Sequence, residues 1–334
     1  MDHALNFVGQ LRRQYLIPPE GRPFLDVPGG NLLYSAAGAR QWVDVVQLMA
    51  RAGEDYPHDW LKIFQQKGMD PRGIKILPGA IDLRTFQVYT DSRNFQRSNP
   101  ISHFARLGLP FPKGLLGYQS PQLEQDSRVT TNQDSPKLTD IPADYLFAKA
   151  VHLAPLDLLT HSQFSPAFRH GGVSIVTIDP GPSYMNANFL DDLRSLLQDI
   201  TAFLPSEEEI RSLFWGRTND LWEMAATLAS YGCEIIVIKR GGLGQFVFER
   251  ASGKKWEIPA YPSRLVDPTG AGDAFCGGFL AGYAATLDPL QAAMYGNISA
   301  SFTIEGTGVF YSLDSMPGLA QARLQSLGSL IRQV

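Results

Sequence analysis

Short apolar runs separated by amphipathic stretches recur along this chain. Short runs bounded by turn residues predict buried strands, whereas a spacing of about 3.6 residues predicts helices. Strands are predicted at residues 4–8, 74–77, 85–90, 150–153, 174–179, 202–204 and 235–239. Helices are predicted at residues 35–52, 60–67, 188–199, 206–214, 219–230 and 274–285. This alternation indicates an α/β fold with a mostly parallel sheet that is covered on both faces.

The periodic pattern stops between residues 91 and 142. Prolines recur there among Ser, Asn, Gln and Asp, at positions 100, 110, 112, 121, 136 and 142. A structureless loop of this length is uncommon inside a compact domain. We therefore expect an insertion that covers an active site or forms a contact surface.

Composition and charge favour a globular protein that binds a small molecule. The chain has 44% hydrophobic and 19% charged residues and a net charge of -4, and its 29 Lys and Arg residues are scattered. No basic stripe is available for nucleic acid or an anionic membrane. No apolar run approaches the roughly 18 residues of a membrane span, so a cytoplasmic location is expected. Cys233 and Cys276 lie in apolar settings without metal-ligand spacing and are predicted to be buried thiols.

A run of small residues leads into the helix predicted at 274–285, with the sequence LVDPTGAGDAF at residues 265–275. Backbone N–H groups at a helix N-terminus lack partners within the helix and carry the positive end of its dipole. They can stabilise the negative charge of a transferring phosphoryl group, and Gly270 and Gly272 would let the backbone approach its oxygens. Small residues four apart predict close packing of this helix on the sheet, namely Ala274, Gly278 and Gly282.

Asp273 falls in the first turn of the same helix, beside the predicted phosphate site. A carboxylate at this place can accept the proton of a hydroxyl group that attacks phosphorus in line. Taken alone, the motif fits equally well an acidic helix start after a tight turn, because short Gly-rich motifs are common.

The residues from Asp267 to Phe275 closely resemble the C-terminal signature of the ribokinase (PfkB) family of sugar and nucleoside kinases. The resemblance extends over nearly the whole chain, and its elements follow in the right order. They are the end of the first strand at residues 8–9, the Gly-Gly motif at 29–30, the Gly-Asp element at 53–55, the Asp-Pro strand end at 178–180, the Asn-x-x-Glu motif at 206–209 and the nucleotide-lining turn at 239–244.

The resemblance implies a ribokinase-like fold in a single domain over residues 1–334. Its doubly wound sheet would be flanked by helices and would carry a small β-rich lid near residues 12–28 and 83–142. A kinase of this type uses ATP and Mg²⁺. The residues implied to act in catalysis are Asp273 as the base and Gly270, Ala271 and Gly272 as the anion hole. Those implied to bind ATP are Lys239, Gly241, Gly244, Asp267, Thr269, Asn297 and Gly308.

Glu209 is implied to influence the magnesium ion indirectly, although an acidic residue in a first helical turn is also ordinary. The resemblance further allows a homodimer.

Five positions are implied to meet the substrate, namely Gln14, Gly29, Gly30, Asn31 and Tyr34. Two of them depart from the family pattern. Gln14 stands where the family usually has an Asp, and Tyr34 stands where it has an Asn. We therefore expect an altered pocket, in which Tyr34 either stacks on a ring or only packs.

Two nearby arginines raise a separate hypothesis. Arg12 and Arg13 follow the first strand and could bind an anionic substrate through bidentate guanidinium contacts. They could equally be solvated surface charges.

Two functions stay open. In the first, the protein is an ATP-dependent phosphotransferase acting on a hydroxyl of a sugar or sugar-like molecule, with a lid that excludes water. In the second, it keeps the fold for a regulatory or binding role, because Gln14, Tyr34 and Ser206 depart from the sugar-binding pattern. The intact Asp273 favours the kinase. A dinucleotide oxidoreductase is excluded, because its Gly-rich turn should follow the first strand.

Overall fold

The computed structural model describes residues 4–19, 22–91, 94–120 and 126–333. Within these ranges a ten-stranded sheet forms the centre of the protein. Its strands, in spatial order, are β14 (Arg332–Gln333), β13 (Lys255–Ile258), β12 (Gln245–Glu249), β11 (Ile235–Lys239), β10 (Ala202–Phe203), β9 (Ile175–Ile178), β8 (Ala150–Leu153), β1 (Leu5–Val8), β4 (Val46–Gly53) and β5 (Met69–Leu77). The strands from β11 to β5 run parallel to one another. Strands β12, β13 and β14 form an antiparallel edge beside β11. The predicted mostly parallel sheet is confirmed.

Helices cover both faces of this sheet. They are α1 (Asn31–Arg40), α2 (His58–Gln66), α4 (Leu158–Gly171), α5 (Leu190–Leu196), α6 (Glu207–Leu213), α7 (Leu221–Ser230), α8 (Ala271–Thr286), α9 (Pro289–Thr303) and α10 (Leu319–Leu327), whereas α3 (Pro100–Arg106) packs elsewhere. Alternate residues of each buried strand enter opposite cores. In β1, Val8 packs with α4 to α7, whereas Leu5 and Phe7 pack with α1 and α8. No helix within the described ranges is long and apolar enough to cross a bilayer.

A second, four-stranded sheet stands apart from the first. Its strands are β3 (Phe24–Gly29), β2 (Arg12–Ile17), β6 (Arg84–Tyr89) and β7 (Phe95–Gln96), in that order. It has a small core of its own, in which Tyr15 and Phe86 pack with Phe104 of α3. The predicted small β-rich lid is confirmed as a part of the fold.

The helix predicted at residues 35–52 is wrong in its extent. Helix α1 ends at Arg40, and Val46–Gly53 is strand β4, paired in parallel with both β1 and β5. Strand β4 is buried almost throughout, including Arg51, so its sequence lacks the alternation of polar and apolar residues that marks a half-buried strand. The sheet environment therefore decides the conformation of these residues.

The predicted packing of α8 on the sheet is also wrong for its small-residue face. A Cβ at Gly278 would lie 2.3 Å from Ser299 Oγ, and one at Gly282 would lie 2.7 Å from Tyr295, and both of these neighbours belong to α9. The small residues therefore permit a close contact between two helices.

The aperiodic segment at 91–142 holds more structure than its sequence suggests. It contains β7 and α3, and residues 126–135 are tied to the start of α4. The Leu158 N–H donates to Asp126, and the Ser135 hydroxyl donates to the buried Asp157. Residues 121–125, including Pro121, lie outside the described ranges. Residues 92 and 93 also lie outside these ranges, and the described residues 126–135 are anchored to the core.

Candidate active site

The chain turns abruptly into helix α8 at Gly270. Gly270 is the N-cap with φ 75°, a conformation that glycine adopts without strain. Ala271 donates its N–H to the Pro268 carbonyl at 3.2 Å. In the described part of the chain, no acceptor is found for the N–H groups of Gly270, Gly272 and Asp273. The loop therefore offers three free donors at the N-terminus of a 16-residue helix, which suits phosphate oxygens.

Asp273 lies beside these donors, in the first turn of α8. Burial raises its pKa to about 7, the negative charge of Asp179 adds to that effect, and Lys239 opposes it. The residue remains partly accessible, which a base that contacts a substrate requires. Its position and pKa both suit a proton acceptor near neutral pH.

A buried ion pair lies behind the loop. Lys239 Nζ is 2.5 Å from Asp179 Oδ2, and the two side chains are only 14% and 4% exposed. Cys276 donates its thiol hydrogen to Asp179 at 3.3 Å. Burial raises the pKa of Asp179 to about 6, and the charge of Lys239 opposes this rise. Burial lowers the pKa of Lys239, but the charge of Asp179 raises it, and the pKa rises overall. The attraction between the two opposite charges therefore favours the ionised form of both groups. Cys233 and Cys276 are buried free thiols, as predicted.

The loop is also fastened to the small sheet. The buried Asp267 accepts the Thr269 N–H at 2.9 Å and so fixes the turn before the glycines. The Thr269 hydroxyl donates to the hydroxyl of Tyr89, on strand β6, at 3.1 Å. The small sheet therefore contacts the predicted phosphate site directly.

The predicted substrate residues Gln14, Gly29 and Tyr34 contact one another. The Tyr34 hydroxyl donates to Gln14 Oε1 at 3.2 Å, and a Cβ at Gly29 would lie 2.0 Å from that same oxygen. Tyr34 is only 2% exposed. The wall of the site where a substrate is expected therefore consists of the Tyr34 ring and the Gln14 amide.

Gly30 and Asn31 support the loop after β1. Gly30 has φ 103°, and a Cβ there would meet the Gln10 carbonyl oxygen at 2.2 Å. Asn31 accepts the Gln10 N–H at 2.7 Å and donates to the Pro155 carbonyl at 2.7 Å. Its amide therefore links the ends of β1 and β8, so that both its groups are occupied within the protein.

Four residues predicted to bind ATP belong to the turn between β11 and β12, to α9 and to the loop after α9. Gly244 has φ 88°, and a Cβ there would meet the Ile258 carbonyl oxygen at 2.0 Å, whereas Gly241 lies in open space. Asn297 is 5% exposed, and it accepts the Tyr261 N–H and donates to the Pro259 carbonyl. Asn297 is therefore a buried residue of α9 whose amide is held by the segment after β13. Gly308, with φ 89°, lies near Phe24 of the small sheet.

Glu209 begins helix α6 as half of a capping box. It accepts the Ser206 N–H at 2.7 Å, and the Ser206 hydroxyl accepts the Glu209 N–H at 3.2 Å. The negative charge of Glu209 nevertheless contributes to the raised pKa of Asp273. Among the described residues, no group of three or more His, Cys, Asp or Glu side chains could hold a metal ion.

Both arginines after the first strand already have acidic partners. Arg12 Nη1 lies 2.5 Å from Asp134 Oδ2, and Arg13 forms a two-pronged contact with Asp26. An ion pair inside the protein thus occupies each guanidinium that could otherwise bind an anionic substrate.

Sequence reasoning did not identify the roles of Asp179 and Tyr89. Asp179 follows β9 and Lys239 ends β11, and the carboxyl ends of parallel strands meet at one edge of a sheet. That topology could have indicated the pairing. No comparable signal marks Tyr89, because its contact depends on how the two sheets are placed.

The fold and the site together define a class of protein. A helix N-terminus with free donors, a carboxylate beside it and a small sheet that reaches over both are features of a phosphotransferase.

Residues 125–316 match the model of the pfkB family carbohydrate kinases. The chain is 28% identical over 278 residues to the cytidine kinase of Thermococcus kodakarensis, which covers 83% of this chain and 87% of that protein. The fructokinase with bound ATP from Xylella fastidiosa has a TM-score of 0.70 and 18% identity, covering 98% of this chain and all of that one. An E. coli protein assigned as ribokinase II, in complex with ATP and Mg²⁺, has a TM-score of 0.69 at 17% identity, covering 98% of this chain and 100% of that one.

The family model covers more than half of the chain. The chain therefore belongs to the pfkB family of carbohydrate kinases. The predicted ribokinase-like fold and the prediction of a kinase are both confirmed.

Proposed function

We propose that the protein transfers the γ-phosphate of ATP to a hydroxyl group of a sugar or a sugar-like molecule such as a nucleoside. The observation that carries this proposal is the placement of Asp273, with its raised pKa, beside three free N–H donors. The cytidine kinase among its relatives supports a nucleoside as one acceptor class.

The reaction follows from this geometry. The acceptor hydroxyl gives its proton to the Asp273 carboxylate as its oxygen forms a bond to the γ-phosphorus. The bond from that phosphorus to the β–γ bridging oxygen breaks, and ADP leaves with the electron pair. The free N–H groups of Gly270 and Gly272 stabilise the charge on the transferred group.

The nucleotide would lie over the carboxyl edge of the sheet, between the turn at 241–244 and helix α9. We assign Gly241, Gly244, Asn297 and Gly308 to its base and sugar side, and Lys239, Asp267 and Thr269 to its phosphate side. A Mg²⁺ ion would neutralise phosphate charge. Mg²⁺ keeps several waters and needs few protein carboxylates, so Glu209 fits an indirect role.

The lid would be the small sheet with its following segment, residues 12–28 and 83–142, in a single kinase domain. Its contact from Tyr89 to Thr269 supports this assignment, because it brings the sheet over the phosphate loop. Closure there would keep water from the γ-phosphate.

The test is ADP release from ATP and Mg²⁺ across sugars, sugar acids, polyols and nucleosides, with Asp273→Asn as the blank. We expect release with one acceptor class that disappears in the variant. ATP binding without transfer to any acceptor would contradict the proposal and favour the regulatory role.

A further inference from the structure

The ammonium group of Lys239 lies directly behind the phosphate loop. A Cβ at Gly272 would be 3.8 Å from Lys239 Nζ, and no other heavy atom of the described residues lies within 4 Å, apart from the two neighbouring residues and the backbone of the same helix. Gly272 is exposed and its N–H has no acceptor among the described residues. Among the described residues outside this helical turn, the heavy atom nearest to that position is therefore the ammonium nitrogen of Lys239.

Three elements of the fold hold this lysine in place. Lys239 ends β11, Asp179 follows β9, and Cys276 lies on α8. Asp179 Oδ2 is 2.5 Å from Nζ, and Cys276 Sγ is 3.5 Å from it. A buried ion pair often stabilises a protein no more than apolar residues of the same size would. Stability alone therefore gives little reason for placing it here.

The charges around Asp273 explain why the ion pair of Lys239 and Asp179 lies at this position. Asp179 and Glu209 are negative and lie close enough to raise the pKa of Asp273, and Lys239 is the cation that opposes them. Cys276 and Tyr34 also face this region, and burial keeps both neutral. Without the lysine, an incoming polyphosphate would meet three carboxylates in a poorly screened cleft.

We propose that Lys239, held by the positioning residue Asp179, supplies a fixed positive charge behind the phosphate loop during phosphoryl transfer. The inference deepens the proposed function and rests on it. Cys276 fixes the Asp179 carboxylate from the helix side and so keeps the ammonium close to Gly272.

The decisive variant is the double substitution Asp179→Asn with Lys239→Met, because it leaves no lone buried charge that could unfold the protein. We expect kcat to fall at least tenfold and the Kd for Mg-ATP, measured by calorimetry, to rise severalfold. Lys254→Met, on an exposed lysine in the turn after β12, is the matched control and should leave both unchanged.

The single variants give a readout that a merely structural pair would not move. The acid limb of the pH profile of kcat should shift to lower pH in Asp179→Asn and to higher pH in Lys239→Met, since opposite charges are removed. Equal shifts in one direction would overturn the inference, as would a double variant whose kcat and Kd stay within twofold of the parent protein. If the parent protein transfers phosphate to no acceptor, the proposed function fails by itself, and the Kd of the double variant alone decides the role of the pair.

Discussion

The ring of Tyr34 lies against Gly270, so closely that a Cβ at position 270 would be 2.2 Å from its carbons. Tyr34 belongs to α1 and Gly270 begins α8, and the two helices pack together through Gly38 and Gly277 as well. The Tyr34 hydroxyl also contacts Gln14 at the base of the small sheet. Tyr34 therefore joins the phosphate loop to strand β2 of the small sheet by direct contacts.

The two glycines of the loop should respond differently to alanine. Gly270→Ala would need φ 75° and would clash with Tyr34, so we expect a loss of ~3 kcal/mol in the free energy of unfolding. Gly272→Ala meets only ordinary contact at 3.8 Å and should leave the free energy of unfolding nearly unchanged. Its methyl would cover the Lys239 ammonium, so kcat should still fall.

Urea unfolding of both variants, with kcat measured for the folded one, checks this contrast. Equal stability of the two variants would mean that Tyr34 does not constrain the loop.

Replacing Tyr34 should change which acceptors are used. Tyr34→Asn removes a buried ring and opens the wall, at a cost of ~2–4 kcal/mol in stability. We expect bulkier acceptors to gain in kcat/KM relative to small ones. Tyr34→Phe keeps the ring and removes only the hydrogen bond to Gln14, which contributes about 1 kcal/mol, and it should keep the selectivity of the parent protein. An unchanged acceptor preference in Tyr34→Asn would place the acceptor elsewhere.

The parts of this protein that follow from local sequence could be predicted well. The apolar runs give most strands of the central sheet, and the Gly270–Asp273 loop forms the helix start that its small residues suggest. Backbone chemistry at a helix N-terminus depends on few residues outside the motif. This explains why the phosphate loop could be recognised without a structure.

The failures concern long-range contacts. The strand at Val46–Gly53 has no sequence period that marks it as a strand. Its conformation depends on pairing with the neighbouring strands β1 and β5. The pairing of Lys239 with Asp179 joins residues 60 positions apart. Gln14 and Tyr34 were each assigned to the substrate, but their mutual hydrogen bond depends on how the small sheet meets α1.

The raised pKa of Asp273 predicts how activity depends on pH. Only the ionised carboxylate accepts a proton, so kcat should rise with pH and level off above a pKa near 7. Asp273→Asn should lose activity at every pH and still bind ATP, because it removes the base and not the N–H donors. A parent profile that is flat from pH 5 to 8 would exclude Asp273 as the base.

The contact of Tyr89 with Thr269 predicts a role in keeping water out. Tyr89→Phe removes one hydrogen bond between the lid and the phosphate loop, so stability should fall by only about 1 kcal/mol. We expect more ATP hydrolysis relative to transfer, measured as ADP released without acceptor. Gln87→Leu, which removes a different hydrogen bond of the same tyrosine, is the matched control. An unchanged ratio of hydrolysis to transfer would show that this bond does not seal the site.

Asp273 should also weaken the fold as the pH rises. An ordinary Asp has a pKa near 3.8, whereas this one in the folded protein has a pKa of about 7. Between these values the folded state binds more protons than the unfolded state, so its stability falls as pH increases through this window. Asp273→Asn abolishes that loss and should be more stable than the parent protein by about 1–2 kcal/mol at pH 8, after allowance for solvent screening, with nearly equal stability at pH 4. Denaturant unfolding at both pH values measures the difference. An equal difference at pH 4 and pH 8 would mean that ionisation of Asp273 is not its source.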